Sequence, residues 1–124
     1  MRMLVALVLS LQMAVGCALT DDRRLLSASE IQELFAGATV TGRHEVRGYT
    51  FKSFYQADGH FRSHQGGATT PREGTWWVVE PDEICIRWSD TRETFCRHMA
   101  TDGQRHWKVA SGSRRNIVTF ESFE

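Results

Sequence analysis

The sequence predicts a mainly β protein: an N-terminal signal segment, one short helix, then an antiparallel meander of about eight strands, barrel-like or strongly curved, tied by one disulfide. Three observations predict it. Apolar residues alternate with a period of two from Thr39 onward, turn residues recur at short intervals, and Cys85 and Cys96 fall on neighbouring candidate strands whose apolar patterns agree with their pairing.

Residues 1–17 read as a signal peptide. Met1-Arg2 gives a short positive start, and Met3 to Gly16 is a block of 14 residues with no charge, as in an export signal. A helical span of a hydrocarbon core needs roughly 20 apolar residues, so the block is not an anchor by itself. Two processing sites compete at its end. Ala14-Val15-Gly16 before Cys17 resembles a lipobox, which would leave Cys17 as a lipidated N-terminus, whereas Gly16-Cys17-Ala18 fits the small-x-small site of ordinary cleavage. The odd cysteine is accounted for by either route. The expected location is the periplasm, or the outer membrane through a lipid on Cys17, with no other membrane attachment.

Residues 18–26 read as a polar tether and 27–124 as a single β-rich domain. Without residues 1–16 the chain carries 14 Lys and Arg against 15 Asp and Glu, a net charge of −1. Such a balance leaves no electrostatic footprint for nucleic acid. The remaining chain of about 107 residues suits one core, to be filled mostly by four Trp, seven Phe and two Tyr.

The helix is expected at 27–36. Ser27 stands as N-cap, Glu30 completes a capping box, Leu26 and Ile31 occupy hydrophobic-staple positions, and Gly37 ends the turn. Ile31, Leu34 and Phe35 form one apolar stripe, so this helix should lie on the sheet or plug its end. Strands are expected at 39–45, 49–56, 60–65, 74–80, 83–89, 93–100, 104–110 and 116–123, separated by Gly, Pro and Asp-Gly turns. Eight such strands shorten or remove exposed edges by closing on themselves.

Two hairpins follow at residue level. If Cys85 faces Cys96, Ile86 meets Phe95 and Arg87 meets Thr94, which gathers Ile84, Ile86, Trp88 and Phe95 on one face and the disulfide on the other. A three-residue loop at Thr101-Asp102-Gly103 then pairs Phe95 with Val109, Arg97 with Trp107 and His98 with His106.

The run from Leu34 to Gly42, the Asp58-Gly59 turn, Gly74-Thr75-Trp76, Ile84-Cys85-Ile86 and Cys96 together resemble the small exported Gram-negative proteins of domain-of-unknown-function family 995. Ala38 stands where that family's run has asparagine. The resemblance covers about residues 27–110 and implies fold and location; it brings no catalytic residue.

Four clusters are candidates for chemistry. His98 and His106, as cross-strand neighbours, can share a Zn or Cu ion, although zinc needs further ligands and Cys96 is taken by the disulfide. Trp76, Trp77, Trp88 and Trp107 can line a pocket, and since Trp76 and Trp77 are adjacent, one of them must leave the core face. His60 and His64 stand too far apart along a strand to share a metal. Arg105, Lys108, Arg114 and Arg115 read as a solvated basic face. There is no nucleophile elbow and no phosphate-cradling loop, so an enzyme is the weaker class. The expectation is a noncatalytic envelope binding module needing no cofactor. Its partner would be an envelope component, a small apolar ligand or another protein; a metal carrier or small enzyme using His98 and His106 is the alternative.

Overall fold

The computed structural model describes residues 22–112 and 115–124. The signal segment with Cys17 and the tether up to residue 21 lie outside the described residues, as does Arg114.

The helix begins as its sequence demands. In α1 (Ala28–Phe35) the Ser27 hydroxyl accepts from the Glu30 amide and the Glu30 carboxylate accepts from the Ser27 amide at 3.1 Å, which occupies two orphan donors at once. Gly37, at φ +77°, carries the chain out of the last turn in the left-handed region where only glycine is unstrained. The helix start is held to the barrel by the Ala28 amide, which donates to the Pro81 carbonyl at 2.8 Å.

Ahead of the helix, β1 (Arg24–Leu25) falls within the segment read as a tether. It pairs with Ala100 and Thr101, and Leu26 beyond it is buried. The barrel strands are β2 (Ala38–His44), β3 (Thr50–Tyr55), β4 (His60–Gln65), β5 (Arg72–Val79), β6 (Glu83–Trp88), β7 (Thr94–Thr101), β8 (His106–Val109) and β9 (Asn116–Phe123). Each pairs antiparallel with the next, and β9 returns to β2, so eight strands close a barrel and β1 adds outside the ring on β7. Closure removes the unpaired edges that an open meander would present.

Glycines permit the tightest approaches. A Cβ on Gly74 would collide with the Arg87 carbonyl on β6, and one on Gly42 with the Thr119 carbonyl on β9. Both lie inside strands, where absence of a side chain lets backbones come together.

The disulfide and its register are as expected: Cys85 bonds Cys96, with Ile86 opposite Phe95 and Arg87 opposite Thr94. Ile84, Ile86 and Trp88 face the core, but Phe95 is 38% exposed although it shares their side of the sheet. It sits near the start of β7, at the rim, where the barrel does not enclose it.

The following hairpin differs from expectation. His98 pairs with Val109 and Thr101 with His106, so the loop holds four residues, 102–105. The Asp102 carboxylate accepts from the Gln104 and Arg105 amides at 2.9 and 2.7 Å, and the Thr101 hydroxyl donates to the Arg105 carbonyl at 2.7 Å. These side-chain bonds stabilise the longer turn over the expected three-residue one. The register therefore shifts by three positions relative to β7, and an odd shift exchanges the two faces of β8.

Candidate functional site

The two ends of the barrel are unlike. β2 runs away from α1, and alternate strands follow in turn, so Tyr55, Phe61, Trp76 and Phe123 lie toward the helix end. There Phe35 closes the barrel, its ring 4.6 Å from Tyr55, 5.6 Å from Phe120 and 5.3 Å from Phe123. At the other end the loops following β2, β4, β6 and β8 surround an opening, and inside it is a cavity of about 70 Å³.

The cavity is built from inward positions of six strands, and period two dictates which residues these are. Phe51, Ser53 and Tyr55 come from β3, and Phe61, Ser63 and Gln65 from β4. Ile86 and Trp88 are supplied by β6, Val118 and Phe120 by β9, His44 by β2 and Lys108 by β8, while Tyr49 stands just before β3. The aromatic rings pack on one another: Tyr55 and Phe61 are tilted at 4.7 Å, and Phe61 and Trp88 meet edge to face at 5.3 Å. Arg72 lies over the Trp88 ring at 4.1 Å and is itself clamped by both Asp90 carboxylate oxygens at 2.9 and 3.1 Å. In the wall, the Ser53 hydroxyl donates to Ser63 at 2.8 Å across the β3–β4 pair, which satisfies two buried hydroxyls within an otherwise aromatic lining.

Lys108 is the exceptional residue. It is only 9% exposed, its Nζ donates to the Tyr55 hydroxyl across a long 3.4 Å, and it stands 5.9 and 6.0 Å from the Tyr55 and Phe120 rings. Among the described residues no carboxylate forms an ion pair with it. Burial first, and the Arg97 charge second, push its pKa down to about 7. Burial likewise pushes the Tyr55 hydroxyl above its ordinary range, so it stays neutral and able to donate or accept. At the mouth, His44 accepts at Nδ1 from the Arg47 amide at 3.1 Å, and its pKa is held down by burial and then by Arg47, Lys108 and Arg97. Arg97 thus bears on both Lys108 and His44, and Glu45 offsets part of the effect on His44.

The expected tryptophan pocket is not assembled as a set. Trp88 lines the cavity. Trp76 faces inward but is packed into the core, and its indole nitrogen donates to the Gln56 carbonyl at 2.7 Å. Trp77 points outward beside Cys85 and is 38% exposed. Trp107 is outward as well, opposite Ala100 and Thr119, with the Arg23 guanidinium 5.5 Å from its ring.

His98 and His106 are on opposite faces of the sheet, which overturns their expected pairing and with it the shared metal ion. His98 contacts the Asp82 carboxylate at 3.2 Å, and His106 packs inward, 5.2 Å from the Phe123 ring. Among the described residues no three His, Cys, Asp or Glu gather as a metal site. The basic face also dissolves: Arg105 and Arg115 are exposed, while Lys108 is interior. Lys108 escapes the sequence pattern because the three-residue turn expected at 101–103 would point it outward, whereas the observed register sets it opposite Met99. The available signal was a lysine between Trp107 and Val109 in a short strand.

Comparison with known proteins gives no match: no protein-family model, no curated protein and no solved structure aligns with the chain. The Cys85–Cys96 disulfide is consistent with an oxidising, exported compartment. Among the described residues no helix is long and apolar enough to cross a membrane.

Proposed function

We propose that this chain is an exported, noncatalytic binding module of the cell envelope, holding a small molecule in the open end of its barrel. The observation that carries this reading is the asymmetry of the barrel. At one end Phe35 fills the interior and leaves a groove beside it between α1, β1 and the β7–β8 turn, whereas the other end leaves a cavity of about 70 Å³ inside the barrel, walled by aromatic rings and a few polar side chains. Small-molecule sites in barrels have this composition and this placement. The volume suits a small ligand, or the head of a longer one whose remainder passes out through the mouth.

The test is a titration with hexanol and hexanoate, followed by tryptophan fluorescence, on the disulfide-bonded protein and on Val118→Phe, which fills the cavity. Binding by the unaltered protein at millimolar concentration or below, lost in the filled variant, is the expected result. Equal response of both proteins would overturn the site, as would no response to either compound. On this reading the domain works either free in the periplasm or held to a membrane surface through a lipid on Cys17. Labelled palmitate that enters the unaltered chain but not Cys17→Ala establishes the lipidated form.

A further inference from the structure

The cavity contains a side chain that a purely apolar ligand would leave unsatisfied. Lys108 Nζ has three N–H donors, of which the Tyr55 hydroxyl takes one at 3.4 Å, and the Tyr55 and Phe120 rings stand 5.9 and 6.0 Å from it. A buried cation without a counter-ion is costly to a fold, and the usual remedy is a carboxylate on a neighbouring strand. Here the charge that bears on it is that of Arg97 from β7, Tyr55 from β3 is its hydrogen-bond partner, and His44 from β2 feels its charge. Beyond His44 stand Arg47 and the carboxylate of Glu45, whose charges act on His44; Glu45 forms no ion pair with Lys108.

We propose that the open end binds a small monoanionic acid, its charged group seated on Lys108 Nζ and the Tyr55 hydroxyl and its apolar part against Phe51, Phe61 and Trp88. This rests on the mouth being a ligand site and names the class of ligand it takes. The seat offers two directed donors, Nζ and a hydroxyl held close together by the β3 and β8 backbones, which suits the two oxygens of a carboxylate. Arg97 and Arg47 add long-range attraction at the mouth, which raises the local concentration of an anion before it enters. Gln65 gives the wall a polar point that a bulky all-hydrocarbon group would bury at a cost.

Two sources supply this chemistry, a free short acid and a fatty acid released from lipid, and chain length separates them. With acids of two to twelve carbons, affinity rises about fourfold per methylene while the chain lies within the lining. A plateau by about six carbons identifies a free short acid. A continued rise identifies a lipid-derived one.

The decisive experiment titrates hexanoate and hexanol by calorimetry against the disulfide-bonded protein, Lys108→Met and Tyr55→Phe. Hexanoate should bind at least tenfold more tightly than hexanol, and Lys108→Met should lose at least tenfold for hexanoate while hexanol binding is kept. Tyr55→Phe, which retains the ring, should lose several-fold and serves if Lys108→Met does not fold. Hexanoate binding near pH 8 should also take up a proton, seen as a dependence of the heat on buffer ionisation, which a merely structural lysine would not produce. Equal binding of acid and alcohol, with no effect of Lys108→Met, overturns the anion seat while leaving the mouth as a ligand site. No binding of either compound overturns both.

Discussion

Replacing Lys108 by methionine should make the protein more stable, and by an amount that depends on pH in a defined window. The side chain is 9% exposed and its pKa is pushed from an ordinary 10.5 to about 7. Between those values the unfolded chain holds a proton that the folded chain does not, so stability rises with pH across the window. The cost of the buried charge is therefore complete below pH 7 and gone above about pH 10.5. At about 1.4 kcal/mol per pH unit, the whole window corresponds to about 5 kcal/mol. Methionine has nearly the same length, fits among Tyr55, Phe120 and Val118, and carries no charge. The assay is urea unfolding of both proteins, disulfide intact, at pH 6, 7, 8, 9 and 10. The stability gap in favour of Lys108→Met should be about 5 kcal/mol at pH 6 and shrink to about 1 kcal/mol by pH 10. A gap that stays constant over this range would refute the reasoning, because it would mean that the ammonium is already solvated in the folded state. The same variant is expected to lose hexanoate binding, so a residue that costs stability at this position is linked to function.

Other perturbations test separate parts of the structure. Cys85→Ala with Cys96→Ala opens a loop with a sequence separation of 11 residues, and the entropy of that loop corresponds to about 3 kcal/mol, to be read as a fall in the urea midpoint with β-sheet circular dichroism retained. Gly74→Ala drives a methyl group into the Arg87 carbonyl and should cost about 3 kcal/mol or more, whereas Gly48→Ala, which meets nothing nearby but sits at φ +75°, should cost about 1 kcal/mol. Phe35→Ala removes the plug and should cost about 4 kcal/mol in thermal or urea unfolding. Zinc titrated into the protein should show no stoichiometric site depending on both His98 and His106, since the two imidazoles lie on opposite faces of the sheet; loss of a tight site on substituting either one would contradict the register of β7 with β8.

Local chemistry written in the sequence carried over directly into the structure. Ser27 and Glu30 cap the helix, Gly37 ends it, and Cys85 with Cys96 sets the register of β6 on β7, because each feature depends on residues close in the chain or on a covalent bond. The eight barrel strands fall within a few residues of the ranges that alternation and turns predicted. What local pattern did not decide was the β7–β8 turn. Asp102 and Thr101 build a four-residue loop through side-chain hydrogen bonds, and in a two-residue repeat that three-position shift reversed every face on β8. It separated His98 from His106, moved Trp107 outside and brought Lys108 into the barrel. The site depends on the same closure: Lys108 meets Tyr55, 53 positions away, only because strands distant in sequence share one interior. The alternation of apolar and polar residues thus determined an antiparallel meander of eight strands, while its closure into a ring and the turn hydrogen bonds decided that it is a barrel and which side chains face its cavity.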